Sequence, residues 1–243
     1  SAAHPDVAYS QGDGYYAFVE LIAMLYRLLR TALLETVWMV VVSGAISIVL
    51  GTLVGAALVF FSDPGLGRDW RINRIFRIDQ VLSAIVNVGR SLPFLVLMVA
   101  IIPLTRLLVG TSIGTQAAIP LSIGAIPFAA RVVESSMRSV DRGVVEAALV
   151  MGASPLEVLF KVMFPEALPS LVLGFTLTLV SLVSFSAMAG AVGGGGLGDL
   201  AIRYGYQRFR TDVMIATVVV LIALVQAIQW AGQAISTAVD RKR

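Results

Sequence analysis

Residues 141–169 read DRGVVEAALVMGASPLEVLFKVMFPEALP, the longest mixed polar stretch in an otherwise strongly apolar chain. The stretch predicts two short helices in succession. The first runs from Arg142 to about Met151, with Asp141 placed to accept the free N–H groups of its opening turn and Gly152 placed for the left-handed residue that closes it. Ser154, Pro155 and Glu157 then form the pattern of a capping box with proline at the first helical position, and Pro165 and Pro169 are expected to bound the second helix. One reading of such a loop is an ordinary amphipathic connection between membrane spans. The other is a surface punctuated this sharply because something fits against it.

Composition sets the surroundings of that loop. Of 243 residues, 58% are hydrophobic and 14% charged, too few polar side chains to cover a soluble globule. The chain reads as an all-α polytopic membrane protein. Its net charge of +3 comes from basic residues in loops, which speaks for membrane orientation and not for nucleic acid. With no cysteine and a single histidine, His4, the chain offers no thiol chemistry, no thiolate metal site and no histidine proton relay.

Five spans follow from the apolar runs. Residues 1–33 are expected to hold a tail, set aside to about Gly14 as a trimmed or added end without a cleavable signal, and an interfacial helix from Tyr15 to Arg30. The membrane domain then covers 34–243. Its first span, Leu34 to Phe61, repeats Ser43, Ser47, Gly51 and Gly55 at every fourth position, a small-residue stripe suited to close helix packing. The second, Val81 to Leu104, puts Ser83, Asn87, Arg90 and Ser91 on one face and is expected to bend at Pro93 and Pro103. Arg90 is a charge inside a span, so it is expected to face the bundle or a second subunit, either as a hydrogen-bond clamp or in contact with a solute. A third span from Gln116 to Ala130 contains Pro120 and Pro127, a fourth from Leu168 to Gly190 is rich in hydroxyls that can bond back to their own helix, and a fifth runs from Val213 to Ile235.

The charges orient these spans. Eleven basic residues (Arg68, Arg71, Arg74, Arg77, Arg131, Arg138, Arg142, Lys161 and Arg241 to Arg243) fall on one side, against six (Arg27, Arg30, Arg106, Arg203, Arg208 and Arg210) on the other. The positive-inside rule then places the 141–169 loop and the C-terminus in the cytoplasm and the N-terminus outside. The glycine-rich run 189–198 resembles a phosphate loop only superficially, because neither a strand before it nor a Gly-Lys-Ser/Thr after it is present, and it is read as a packed or flexible outer turn. No nucleotide, metal or catalytic pattern occurs, so the chain is expected to be no enzyme and to draw transport energy from another polypeptide.

The loop supplies a place for that polypeptide. Glu146-Ala147-Ala148, three residues, Gly152, nine residues and Val162-Met163-Phe164-Pro165 resemble the E-A-A-x3-G-x9-I-x-L-P loop of ABC importer permeases. The runs SAIVNVGRSLPF (83–94), IPLTR (102–106) with VGTSIG (109–114), and SAMAGAVGGGGLG (186–198) narrow the resemblance to the permease of bacterial methionine importers, from about Leu34 onward. This resemblance implies an inner-membrane permease whose loop is the coupling helix, with Glu146, Ala147, Ala148, Gly152 and Pro165 at the ATPase contact. It implies a complex with two ATPase subunits that bind ATP and Mg, no cofactor in this chain, and a lipid-anchored extracytoplasmic substrate-binding protein. Five spans enclose little room, so two copies are expected to share the pathway as a homodimer, with a different second permease as the alternative. Asn87, Arg90, Ser184, Ser186 and Met188 are the candidate pathway residues, Met188 as a soft apolar contact for a thioether. The rival readings are a permease for another small amino acid or polar solute, a secondary transporter, for which carboxylates inside spans would be the mark, and a scaffold that recruits a partner without transport.

Overall fold

The computed structural model describes residues 11–63, 65–67, 77–109 and 117–240. His4, Arg68, Arg71, Arg74, the outer connection at 110–114 and the basic tail at 241–243 lie outside the described residues. Everything regular within them is helical.

Helix α1 runs unbroken from Gln11 to Ser62, 52 residues. The separate interfacial helix expected up to Arg30 is therefore the first part of the same rod as the first span. Thr31-Ala32-Leu33 contains neither glycine nor proline, so nothing there stops a helix. At 1.5 Å per residue α1 is roughly 78 Å long, more than twice the hydrocarbon thickness, and one end must stand clear of the membrane. Its small-residue stripe does pack: Ser47 donates to the Ser122 carbonyl at 3.1 Å, and a Cβ at Gly51 or Gly55 would lie 2.5 Å from Ala129 or from the Ala130 carbonyl. These partners belong to α4 (Ala118–Arg138). Two helices approach this closely only where side chains are minimal.

Helices α2 (Ile78–Ser91) and α3 (Phe94–Val109) replace the single bent span expected at 81–104. They meet at 106°. Leu92 sits between them in extended conformation, φ −77° and ψ 129°, as a residue preceding proline must. Pro103, by contrast, is carried inside α3.

Helix α4 passes through Pro120 and Pro127 and continues to Arg138, two turns beyond the expected end. The added turns carry Glu134 into the bundle, 9% exposed. Gly89 of α2 makes room for the Pro127 ring, which a Cβ there would approach to 2.7 Å.

Helix α5 (Arg142–Val150) and the short α6 (Pro155–Glu157) form the loop, and a π-helical turn, Val158–Met163, joins α6 to α7 (Phe164–Ala191). Pro165 and Pro169 do not end the second loop helix. The wide turn, closed by Phe164 N–H to the Leu159 carbonyl, widens the backbone just where Pro165 offers no N–H, so loop and span are one continuous rod. Along α7, Thr176, Thr178, Ser181 and Ser186 each donate to a carbonyl of their own helix, as their density suggested.

Helix α8 (Gly196–Leu200) runs into a second π-helical turn, Ala201–Tyr206, before α9 (Thr211–Val239) crosses back along α7. Ser236 of α9 donates to the Pro169 carbonyl at 3.0 Å. Among the described residues four helical stretches are long and apolar enough to cross a membrane, Ile22–Ser62, Ala118–Arg138, Pro155–Ala191 and Thr211–Val239, and the bent α2–α3 pair adds a fifth if its two helices count as one broken span.

Candidate partner-docking loop and transmembrane charge cluster

The loop is built from its caps. Asp141 accepts the Gly143 N–H at 2.6 Å, starting α5 one residue later, and Gly152 closes it at φ +89°. Ser154 and Glu157 bond reciprocally, and Glu157 also pairs with Lys161 at 2.8 Å. The Lys161 ammonium, followed by the Ser154 N–H and hydroxyl, holds the Glu157 carboxyl at about 2, so this box stays charged at neutral pH. The rod from Pro155 to Ala191 is 37 residues, about 55 Å by helical rise against about 30 Å of hydrocarbon, which leaves its polar first turns beyond the membrane.

Each face of the loop has a different role. Val145, Ala148, Val158, Leu159 and Met163 turn inward and share a core with Ala56, Val59 and Phe60 of α1 and with Val133 and Met137 of α4. Arg142 reaches Asp63 at the end of α1 (3.6 Å) and Glu146 within its own helix (3.2 Å). The loop is thus fastened to two spans and continuous with a third. Of the expected contact residues, Glu146 and Ala147 are exposed on the outer face and Pro165 lies half-buried at the start of α7, whereas Ala148 is not on that face but buried in the core beneath it. Val150 and Met151, 88% and 82% exposed, crown the loop, and Leu156 and Phe160 further along it are exposed too. The loop motif does not include these apolar residues. Their signal is nonetheless present in the sequence: two large apolar side chains next to a helix-ending glycine, where polar residues normally stand.

Beneath the loop lies a charge cluster. Arg131 of α4 binds Glu134 and reaches across to α2, donating to the Ser83 hydroxyl at 2.7 Å and to Asn87 Oδ1 at 2.8 Å. Arg138 binds the other Glu134 oxygen at 3.1 Å and the Ser62 hydroxyl at 2.7 Å. Glu134, 9% exposed, is therefore shared by two guanidiniums. The clamp that the sequence offered to Arg90 is made by Arg131, which was expected in a loop.

The five pathway candidates do not meet in one cavity. Asn87 is held by Arg131, and Arg90 is exposed beside it. Ser184 and Met188 line an apolar cleft of about 640 Å³ between α7 and α9 with Leu221, Val225 and Gln226. Ser186 departs from the expectation: it is 2% exposed and donates to the Val183 carbonyl of its own helix, so it is not presented to that cleft.

At the opposite end of α7 the glycine-rich turn is held by α1. Glu35 accepts the Gly196 N–H and Thr36 accepts the Leu197 N–H, both at 2.8 Å, and Gly193, Gly195 and Gly196 all have φ between 75° and 85°. It is a packed turn.

Residues 65–242, the loop and the last three spans among them, match the family described as binding-protein-dependent transport system inner membrane component. The chain belongs to this family. It is accordingly a multi-pass inner-membrane transport component and not an enzyme. Within the family it is 54% identical, over 88% of its length and 93% of the relative's, to a probable D-methionine transport system permease protein MetI of Vibrio cholerae. It is 44% identical to the methionine import system permease protein MetP of Bacillus subtilis, over 68% of this chain and 75% of that one. Among solved structures it resembles a chain from the inward-facing MetNI methionine ABC transporter, with a TM-score of 0.82 and 45% identity, covering 88% of this chain and 97% of that chain. A chain from an amino acid ABC transporter crystallised with histidines shares the fold at 18% identity and a TM-score of 0.66. The all-α importer-permease architecture expected from the loop is thus the observed one.

Proposed function

We propose that this chain is the permease subunit of an ABC importer for methionine and closely related amino acids, moved between inward and outward openings by separate ATPase subunits. The observation that carries the reading is the loop: a capped pair of helices with an apolar exposed crown, fastened by its inner face to α1 and α4 and continuous with α7. A force applied to Val150 and Met151 passes into three spans without a hinge, which is what coupling requires. Glu146, Ala147, Gly152 and Pro165 form the contact with the ATPase, Glu146 by charge and the small residues by allowing close approach, while Ala148 packs the inner face of the loop. ATP and Mg belong to that partner. The relatives named for methionine transport support the substrate, and Met188 in its apolar cleft suits a thioether.

The loop and C-terminus lie in the cytoplasm and the N-terminal end of α1 outside, an orientation supported by the distribution of arginines. Two copies enclose the pathway, two ATPases dock on the two loops, and a lipid-anchored binding protein delivers substrate from outside. Reconstitution tests this directly. Vesicles holding the permease, its ATPase and the binding protein accumulate labelled methionine in an ATP-dependent manner, and Gly152→Trp abolishes uptake while the spans stay folded. Uptake that needs no ATP, or ATPase docking without any uptake, would favour the secondary-transporter or scaffold reading.

A further inference from the structure

Arg90 stands on α2 inside the membrane domain, exposed, and among the described residues it has no ion pair or hydrogen bond within the chain. A guanidinium without a protein partner is unfavourable unless water or an anion meets it. It opens on a cavity of about 440 Å³ lined also by Phe128, Arg131, Glu134 and Arg138. Three guanidiniums face one carboxylate there, and both Glu134 oxygens are already engaged by Arg131 and Arg138. Arg131 Nε is buried without a partner. The adjoining cavity, which shares Glu134 and Arg138, adds Asp79, so the excess of positive charge is concentrated at Arg90 and Arg131. The volume is that of a small-molecule site.

We infer that this cavity is a way-station for the substrate's α-carboxylate, with Arg90 as its principal binding residue. The inference rests on the importer reading. A planar guanidinium fork matches a carboxylate in shape and charge, and Arg90 is the one fork here that the fold has left unspent. Arg131 is committed to holding α2 against α4, so it sets the position of Arg90 and contributes its field. Phe128 and Val132 form apolar wall suited to a thioether side chain. A lipid phosphate offers the same anionic chemistry, and the response to added phosphatidylglycerol separates the two sources.

The test uses the permease–ATPase complex in phosphatidylcholine nanodiscs without binding protein, and equilibrium dialysis of labelled methionine. Wild type binds saturably and methioninol, which lacks the carboxylate, competes poorly. Arg90→Gln weakens methionine binding about tenfold or more, the loss of a charge-assisted hydrogen bond, and makes methioninol as good a competitor as methionine. Arg90→Lys keeps an intermediate affinity, which separates lost charge from lost fold. Equal affinity in wild type and Arg90→Gln overturns the subsite, as does absence of saturable binding in a complex that takes up methionine when it is reconstituted into vesicles with binding protein. An Arg90→Gln effect confined to retention of added phosphatidylglycerol assigns the cavity to a lipid and also overturns it. Wild-type complex that takes up no methionine into vesicles even with binding protein overturns the importer reading, and this subsite with it.

Discussion

The turns at the two ends of α7 are both made with glycine, and they use it in opposite ways. Gly152, at the loop end, has φ +89° and no atom within 4 Å of where a Cβ would stand. At the other end a Cβ on Gly190 would lie 2.2 Å from the Asp199 nitrogen, and one on Gly198 2.4 Å from the Ala187 backbone. The first turn faces outward beside Val150 and Met151. The second is closed on itself and clasped by Glu35 and Thr36 of α1. A glycine at positive φ in open space, as Gly152 and also Gly193 are, is there for its backbone conformation, whereas a glycine surrounded by backbone, as Gly190 and Gly198 are, is part of the packing.

Substitutions should separate the two ends. Gly198→Val has the largest expected effect, because backbone cannot move aside as a flexible side chain can: on the order of 3 kcal/mol or more is lost, and the purified permease melts at a clearly lower temperature or is not recovered. A Gly198→Val variant that melts like the wild type would mean that the two turns do not differ in this way. Glu35→Ala removes the acceptor for the Gly196 N–H and is expected to cost about 1–3 kcal/mol, read as a lower melting temperature in detergent with the loop's amide exchange unchanged. Gly152→Ala places a side chain in left-handed conformation and costs only about 1 kcal/mol. Gly152→Trp should melt close to Gly152→Ala yet lose ATP-driven uptake; a tryptophan variant that transports normally would show that nothing approaches this turn closely. Met151→Ser is the smallest in stability, within about 0.5 kcal/mol, and is expected to show itself only as weaker retention of the ATPase during purification.

The features legible in the amino-acid sequence are those that depend on neighbours a few residues away. Asp141, Ser154, Glu157 and Gly152 mark the helix ends of the loop because capping is a contact over two or three residues, and each cap is where the spacing put it. The stripe from Ser43 to Gly55 announced a close helix contact through its period, though not which helix would fill it. Proline was ambiguous for the same reason: Pro93 breaks its helix while Pro127 and Pro169 are carried within theirs, and the outcome depends on whether surrounding elements absorb the missing hydrogen bond.

Composition therefore specified the membrane class, and local spacing the paired helices of the loop and their caps. Tertiary packing settled that Arg131 and not Arg90 ties α2 to α4, that Glu35 closes a turn 161 residues away, and that Glu134 sits between two arginines. The physical reason is that a charge or a buried N–H takes whichever partner the folded chain brings within about 3 Å, and that choice is made by contacts between distant segments.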